Sequence, residues 1–145
     1  MGVLYAVGMT ETGTRGVLQP YALNIEGKSV ITESSGAAMK EFRVARRKGK
    51  ILVDLGCMQV NHHYHGMNFA SPDEMLDPEK NIIYAARLLK SLYVKKGDWA
   101  AAVALYHASP RKPRQQRAYT CAVIANLVHS GFGRWTADAN DYCRG

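Results

Sequence analysis

At 145 residues, 47% of them apolar, the chain has the size and composition of one globular domain, and its apolar runs stay well short of the ~18 residues that a membrane span needs. The formal net charge of +7 favours anionic partners. Neither basic stretch, "RVARRKGK" at 43–50 or "RKPRQQR" at 111–117, interleaves aromatics as a single-strand binder does, so nucleic acid is set aside and a solvated basic face is expected. Three cysteines allow at most one internal pair, and the lack of a C-x-x-C motif argues against a zinc site.

Residues 3–12 read as a helix that starts abruptly and ends on one carboxylate, Glu11, between two threonines. "YALNIEGKSVITE" reads as a hairpin, two strand-like runs with Glu26 and Gly27 supplying a tight turn. Ser34 or Ser35 caps a helix through "GAAMKEFRVARRK", which Gly49 stops. "ILVDLGCMQVN" is apolar, glycine-broken and strand- or loop-like. "SPDE" at 71–74 is a capping box with proline at the first helical position.

The clearest helix follows: Asp77 caps it, Pro78 starts it and Gly97 stops it, with Ile82, Ile83, Ala86, Leu89 and Tyr93 as the expected core face. Asp98 caps a short helix, "WAAAVALYHA", and "RQQRAYTCAVIANLVHSG" forms the last long helix, ending at Gly131. The tail, residues 131–145, reads as a loop with Trp135 and Cys143 as anchors. The order gives an α+β, mainly α, single domain over residues 1–145.

A glutamate near a helix end is most often solvated, so Glu11 gains meaning only from the later segments. "GCMQV" at 56–60 is a glycine-broken turn carrying Gln59, and "LYHAS" at 105–109 places Tyr106 and His107 at a helix end. In that order, Glu11-Thr12, Gly56-Cys57-Met58-Gln59-Val60 and Leu105-Tyr106-His107-Ala108-Ser109 resemble the three motifs of the soluble-lytic (SLT) type of lytic transglycosylase, whose fold is similar to goose-type lysozyme. Thr12 stands where that family has serine, His107 where it has asparagine, and Ser109 where it has glycine. The stretch from Pro20 to Lys28, with Leu23, Asn24 and Gly27, is similar to the branch tied to flagellar or secretion-system assembly. The helix that the family places before the glutamate is not among these residues, so the shelter around Glu11 is expected to be incomplete.

The resemblance implies a lysozyme-like helical domain with a small β-hairpin. It implies a substrate of peptidoglycan glycan strands, a periplasmic location with the leader outside these residues, and a flagellar or secretion-system component as partner. No cofactor and no metal are implied. Glu11 would protonate the bond between N-acetylmuramic acid and N-acetylglucosamine, then act as base on the C6 hydroxyl that closes a 1,6-anhydro ring. Burial raises a carboxyl's pKa for the first step, and Cys57, Met58 and Val60 are the expected walls. Thr12, Met58, Gln59, Asn61, Tyr106, His107 and Tyr119 are the implied substrate contacts, with Tyr119 the cleft tyrosine of the last long helix.

Most glycosidases need a second carboxylate. The matched motifs offer none; Asp54 lies nearest, and it equally suits a cap or a pair with an arginine. Two rivals stay open: a hydrolytic muramidase on the same fold, and a weakly active wall-binding assembly factor. "NHHYH" at 61–65 places His62, His63 and His65 in an apparent loop, where groove or surface histidines are expected rather than metal ligands. In an export compartment Cys121 and Cys143 can pair and pin the tail, and Cys57 is expected to be a small buried apolar residue.

Overall fold

The computed structural model describes residues 1–109 and 111–145. The elements run α1 (Gly2–Thr12), β1 (Ala22–Ile25), β2 (Lys28–Ile31), α2 (Ser35–Arg47), β3 (Val53–Leu55), β4 (Val60–Asn61), α3 (His62–His65), a 3-10 turn (Gly66–Asn68), α4 (Pro72–Met75), α5 (Pro78–Lys96), α6 (Trp99–His107), α7 (Pro113–His129) and α8 (Ala137–Arg144). Helix dominates, with one small antiparallel sheet, as the sequence leads one to expect. The chain divides into two compact units, one of Met1–Thr10 with Ala86–Gly145 and one of Glu11–Ala85.

The second unit is built on the sheet, ordered β2-β1-β3-β4 with every pairing antiparallel. The expected hairpin is its outer half. Glu26 and Gly27 take positive φ, 49° and 96°, as a two-residue hairpin turn requires, and the Asn24 Oδ1 accepts from the Gly27 N–H at 2.8 Å. The glycine-broken segment adds two short strands on the other side of β1. Leu23, Leu55 and Val60 stand opposite one another across three strands and are buried. Asn24, Asp54 and Asn61 occupy the alternate positions, so the sheet has one apolar face and one polar face.

Helix caps follow the short polar side chains before each helix. Ser34, not Ser35, caps α2 by accepting from the Ala37 N–H, and Ala38, Met39, Phe42 and Ala45 form its buried stripe. Arg46 and Arg47 lie in its last turn, where cations suit the helix dipole, so the first basic stretch is a solvated helix end. Ser71 caps α4; Glu74 completes the capping box with the Ala70 N–H, one residue before the usual partner. Asp77 caps α5.

The face of α5 differs from expectation. Asn81, Ala85 and Leu89 are buried at 0–2% exposure, while Ile83 is 42% exposed. Leu89 is core as expected and Ile82 and Ala86 are half-buried, but a polar residue, Asn81, takes a core position and Ile83 faces out.

In the first unit, α6 packs on α7 and α7 on α8. Asp98 caps α6, and Tyr93 stacks on Trp99 with centroids 4.2 Å apart. Thr10 of α1 accepts from the Asn126 Nδ2 of α7 at 2.9 Å. An apolar cavity of about 410 Å³ lies at the start of α1, lined by Gly2, Val3, Leu4, Leu89, Trp99 and Phe132 among others.

The tail is not a loop: Thr136 caps α8, whose Cys143 is disulfide-bonded to Cys121 of α7. Arg117 lies over the Tyr142 ring at 5.8 Å. Trp135 is 42% exposed, and the Cys121–Cys143 bond ties the tail to α7. Closing 22 residues of separation is worth about 3 kcal/mol in unfolded-chain entropy. Reduction, or Cys143→Ser, is expected to lower the urea midpoint accordingly, and an unchanged midpoint under reducing conditions would contradict this.

Candidate active site

Glu11 is half-buried near the C-terminal end of α1. Beside it Thr12 is buried, and its hydroxyl donates to the Cys57 carbonyl at 2.8 Å while accepting from the Gln19 N–H at 3.2 Å. One side chain thus ties the end of α1 to the turn at 56–59. The hydroxyl that Thr12 shares with serine is the group used; its methyl is not needed for the contact.

The turn is built by Asn81. Its Nδ2 donates to the carbonyls of Leu55 (2.9 Å) and Met75 (2.8 Å). Its Oδ1 accepts from the Met58 N–H at 2.9 Å and the Cys57 thiol at 3.5 Å. Gly56 is required twice over: its φ is +82°, and a Cβ there would stand 2.5 Å from the Asn81 Nδ2. Cys57 and Met58 are buried as expected, at 2% and 1%, and burial pushes the Cys57 thiol up. The Met58 N–H is committed to Asn81, so this backbone donor is not available to a sugar.

Gln59 sits at φ +51°, an uncommon conformation for a residue of its kind. Its Nε2 donates to the Gly56 carbonyl (2.9 Å) and the Ala22 carbonyl (3.2 Å), which folds the side chain back across the turn. Asn61 is used at both ends: Nδ2 donates to the Asp54 carboxylate at 2.8 Å and Oδ1 caps α3 at the Tyr64 N–H. Burial pushes the Asp54 carboxyl up from its ordinary value, opposed by the Asn61 hydrogen bond. Of the two alternatives for Asp54, a cap or an arginine pair, no arginine pair is found among the described residues.

The three histidines of 61–65 diverge. His62 meets Phe42 edge-on, His63 meets Tyr64, and His65 Nδ1 lies 2.9 Å from the Tyr84 hydroxyl. Among the described residues no three His, Cys, Asp or Glu side chains are grouped to hold a metal ion.

The remaining sequence-predicted residues belong to the first unit. Tyr106 and His107 end α6, and the imidazole of His107 stacks flat on the Tyr119 ring of α7, with centroids 4.1 Å apart and planes 5° apart. Tyr119 is buried at 7% exposure, so its ring packs within the unit as well as being a sugar candidate. Burial and then Lys112 push His107 below its ordinary value.

The family described as Transglycosylase SLT domain matches residues 9–127. The match covers most of the chain, which therefore belongs to this family of peptidoglycan-acting transglycosylases with a lysozyme-like fold. No curated protein and no solved structure matches the chain. Among the described residues no helix is long and apolar enough to cross a membrane.

Sequence reasoning missed Asn81. The available signal was a lone asparagine one turn into a capped helix, at i−4 and i−8 from Ala85 and Leu89.

Two outcomes are expected. Asn81→Ala leaves buried carbonyls and an N–H without partners and lowers stability by about 3 kcal/mol, read from the urea midpoint; a loss below ~1 kcal/mol would contradict the clamp. Separately, His62, His65 and His107 all lie below their ordinary value of 6.5, so the folded chain binds fewer protons than the unfolded one. Stability is therefore fully present above that value and is lost as pH falls through the histidine range. The thermal midpoint should drop between about pH 7.5 and 5.5, whereas a flat profile would show that these rings titrate normally.

Proposed function

We propose that this protein is a peptidoglycan lytic transglycosylase. It cleaves the β-1,4 bond between N-acetylmuramic acid and N-acetylglucosamine and leaves 1,6-anhydro-muramic ends. Glu11 protonates the leaving oxygen. As the C1–O4 bond breaks, the muramic 2-acetamido group stabilises the developing cation. The ionised Glu11 then takes the proton of the C6 hydroxyl as O6 bonds to C1. The nucleophile is tethered to the reacting sugar, so its effective concentration is high and no positioned water is needed.

The observation that carries this reading is the Thr12 hydroxyl on the Cys57 carbonyl. It joins the first family motif to the second, so the glutamate and the glycine turn act as one framework. Gln59 keeps its Oε1 for a sugar amide or hydroxyl, since its Nε2 is used internally. Asn61 enters as the residue that holds Asp54. Tyr106, His107 and Tyr119 are read as substrate contacts of the first unit.

A periplasmic location is supported by the Cys121–Cys143 disulfide, a bond that persists in oxidising compartments. Action within a flagellum or secretion system rests on the stretch from Pro20 to Lys28 alone. Its Asn24 and Gly27 here make the hairpin turn, so that stretch has a structural use of its own.

Glu11→Gln is expected to reduce the release of anhydro-muropeptides from purified peptidoglycan by about 10³-fold while leaving the circular-dichroism spectrum unchanged. Mass spectrometry distinguishes anhydro ends from reducing ends, which are heavier by one water. Full activity in the variant would end the assignment of Glu11, and reducing ends from the wild type would make the enzyme a muramidase.

A further inference from the structure

Three described residues other than glycine have a left-handed backbone: Arg15, Glu26 and Gln59, at φ 52°, 49° and 51°. The conformation is unfavourable for such residues and persists where the side chain or the fold requires it. Two of the three side chains have an internal use. The Glu26 carboxylate, on the turn between β1 and β2, pairs with the Lys50 ammonium at 2.9 Å and accepts from the Ile51 N–H at 3.3 Å. The Gln59 amide donates to the Gly56 and Ala22 carbonyls. Arg15 has no ion pair among the described residues.

Arg15 stands at the tip of a tight turn shortly after Glu11. The Thr14 and Val17 backbones exchange two hydrogen bonds, at 2.9 and 3.0 Å. Arg15 and Gly16 between them both take positive φ, as the central residues of a type I′ turn do. Asparagine or glycine is the ordinary first residue of such a turn, and arginine is not. The foot of the turn rests on Thr12, whose hydroxyl accepts from the Gln19 N–H at 3.2 Å and donates to the Cys57 carbonyl. The tip is bare: Arg15 is exposed, Val17 is 62% exposed, and a Cβ added to Gly16 would meet nothing within 4 Å. At most about 14 Å of chain separates residue 15 from residue 11. A cation is thus carried on a pinned turn that begins beside the proposed acid.

We infer that Arg15 recognises a carboxylate of the peptide carried by N-acetylmuramic acid, so that the enzyme favours glycan strands whose peptides bear free carboxylates. This inference rests on the reading of Glu11 as the general acid. The alternating sugars of the strand are uncharged, and the anions of the substrate lie on the peptides attached to the muramic lactyl groups. A guanidinium forks onto a carboxylate through two parallel hydrogen bonds, a match that a neutral sugar hydroxyl does not offer. Arg15 forms no covalent bond and exchanges no proton. It seats the muramic residue whose C1–O4 bond breaks.

The test compares wild type, Arg15→Gly, Arg15→Asn and Glu11→Gln on purified sacculi, and on the same sacculi after carbodiimide and ammonia have converted the peptide carboxylates to amides. Release of anhydro-muropeptides and the thermal midpoint are measured for each. Wild type is expected to release about tenfold less from the amidated sacculi, the scale of one charge-assisted pair. Both Arg15 variants should show that loss already on native sacculi, with no further loss on amidated ones. Their midpoints should hold or rise, because glycine and asparagine suit the left-handed position. Activity on native sacculi within about twofold of wild type in both variants overturns the inference. So does a loss relative to wild type of equal size on both substrates, since the turn would then serve Glu11 rather than a carboxylate. A lowered midpoint in both variants also overturns it, by giving the guanidinium a structural use. Each of these results, with Glu11→Gln inactive, leaves the proposed function standing. An active Glu11→Gln overturns the proposed function itself.

Discussion

Much of the second unit depends on one buried amide. Asn81 is fully buried and uses both donors and both acceptor positions of its side chain. It closes the end of β3 through Leu55, the end of α4 through Met75, and the turn between them through Met58. Because the amide fills the space, residue 56 can carry no side chain. Because the turn is fixed, the Cys57 carbonyl stands where the Thr12 hydroxyl can reach it. The order of dependence runs from a helix interior to a turn and from the turn to the residue beside Glu11.

The elements were legible where a local rule decides them. Ser34, Ser71, Asp77 and Asp98 are short acceptors immediately before helices, and each caps one. Asn24 and Gly27 specify a hairpin without help from the rest of the chain. Burial was less legible, because it is a property of the assembled fold. Ile82 and Ile83 look like core, yet the helix turns Asn81 inward and Ile83 outward. α8 was hidden for another reason. Its sequence, "ADANDYCR", is short and mostly polar, with only Ala139, Tyr142 and Cys143 on one side, and the helix is held by a disulfide and by Arg117 over Tyr142. The motifs named the candidate residue types, but not how many of their polar groups were already spent. Asn61 is committed at both ends and Gln59 at one, which only the hydrogen bonds reveal.

Electrostatics separates into an exposed part and a buried part. The pairs Lys50–Glu26 and Lys80–Glu74 lie near the surface, where such bridges contribute little. The basic residues that give the chain its net charge are mostly solvated. Burial shifts the proton affinity of Asp54, Cys57, Tyr84 and the histidines 62, 65 and 107. Asp54 and Cys57 flank the start of the turn that Asn81 and Thr12 fix.

Gln59 has a consequence for how this protein can change. Glycine at that position would relieve the left-handed backbone. The same exchange would remove the amide's two hydrogen bonds and leave the Gly56 and Ala22 carbonyls with their backbone donors alone, the Gln59 and Gly56 N–H groups. Position 59 is thus caught between two opposing pressures, one from its backbone and one from its amide. A lineage selected for sturdiness would be expected to move elsewhere in the chain first, and a glycine at residue 59 would mark a descendant that had stopped using the turn.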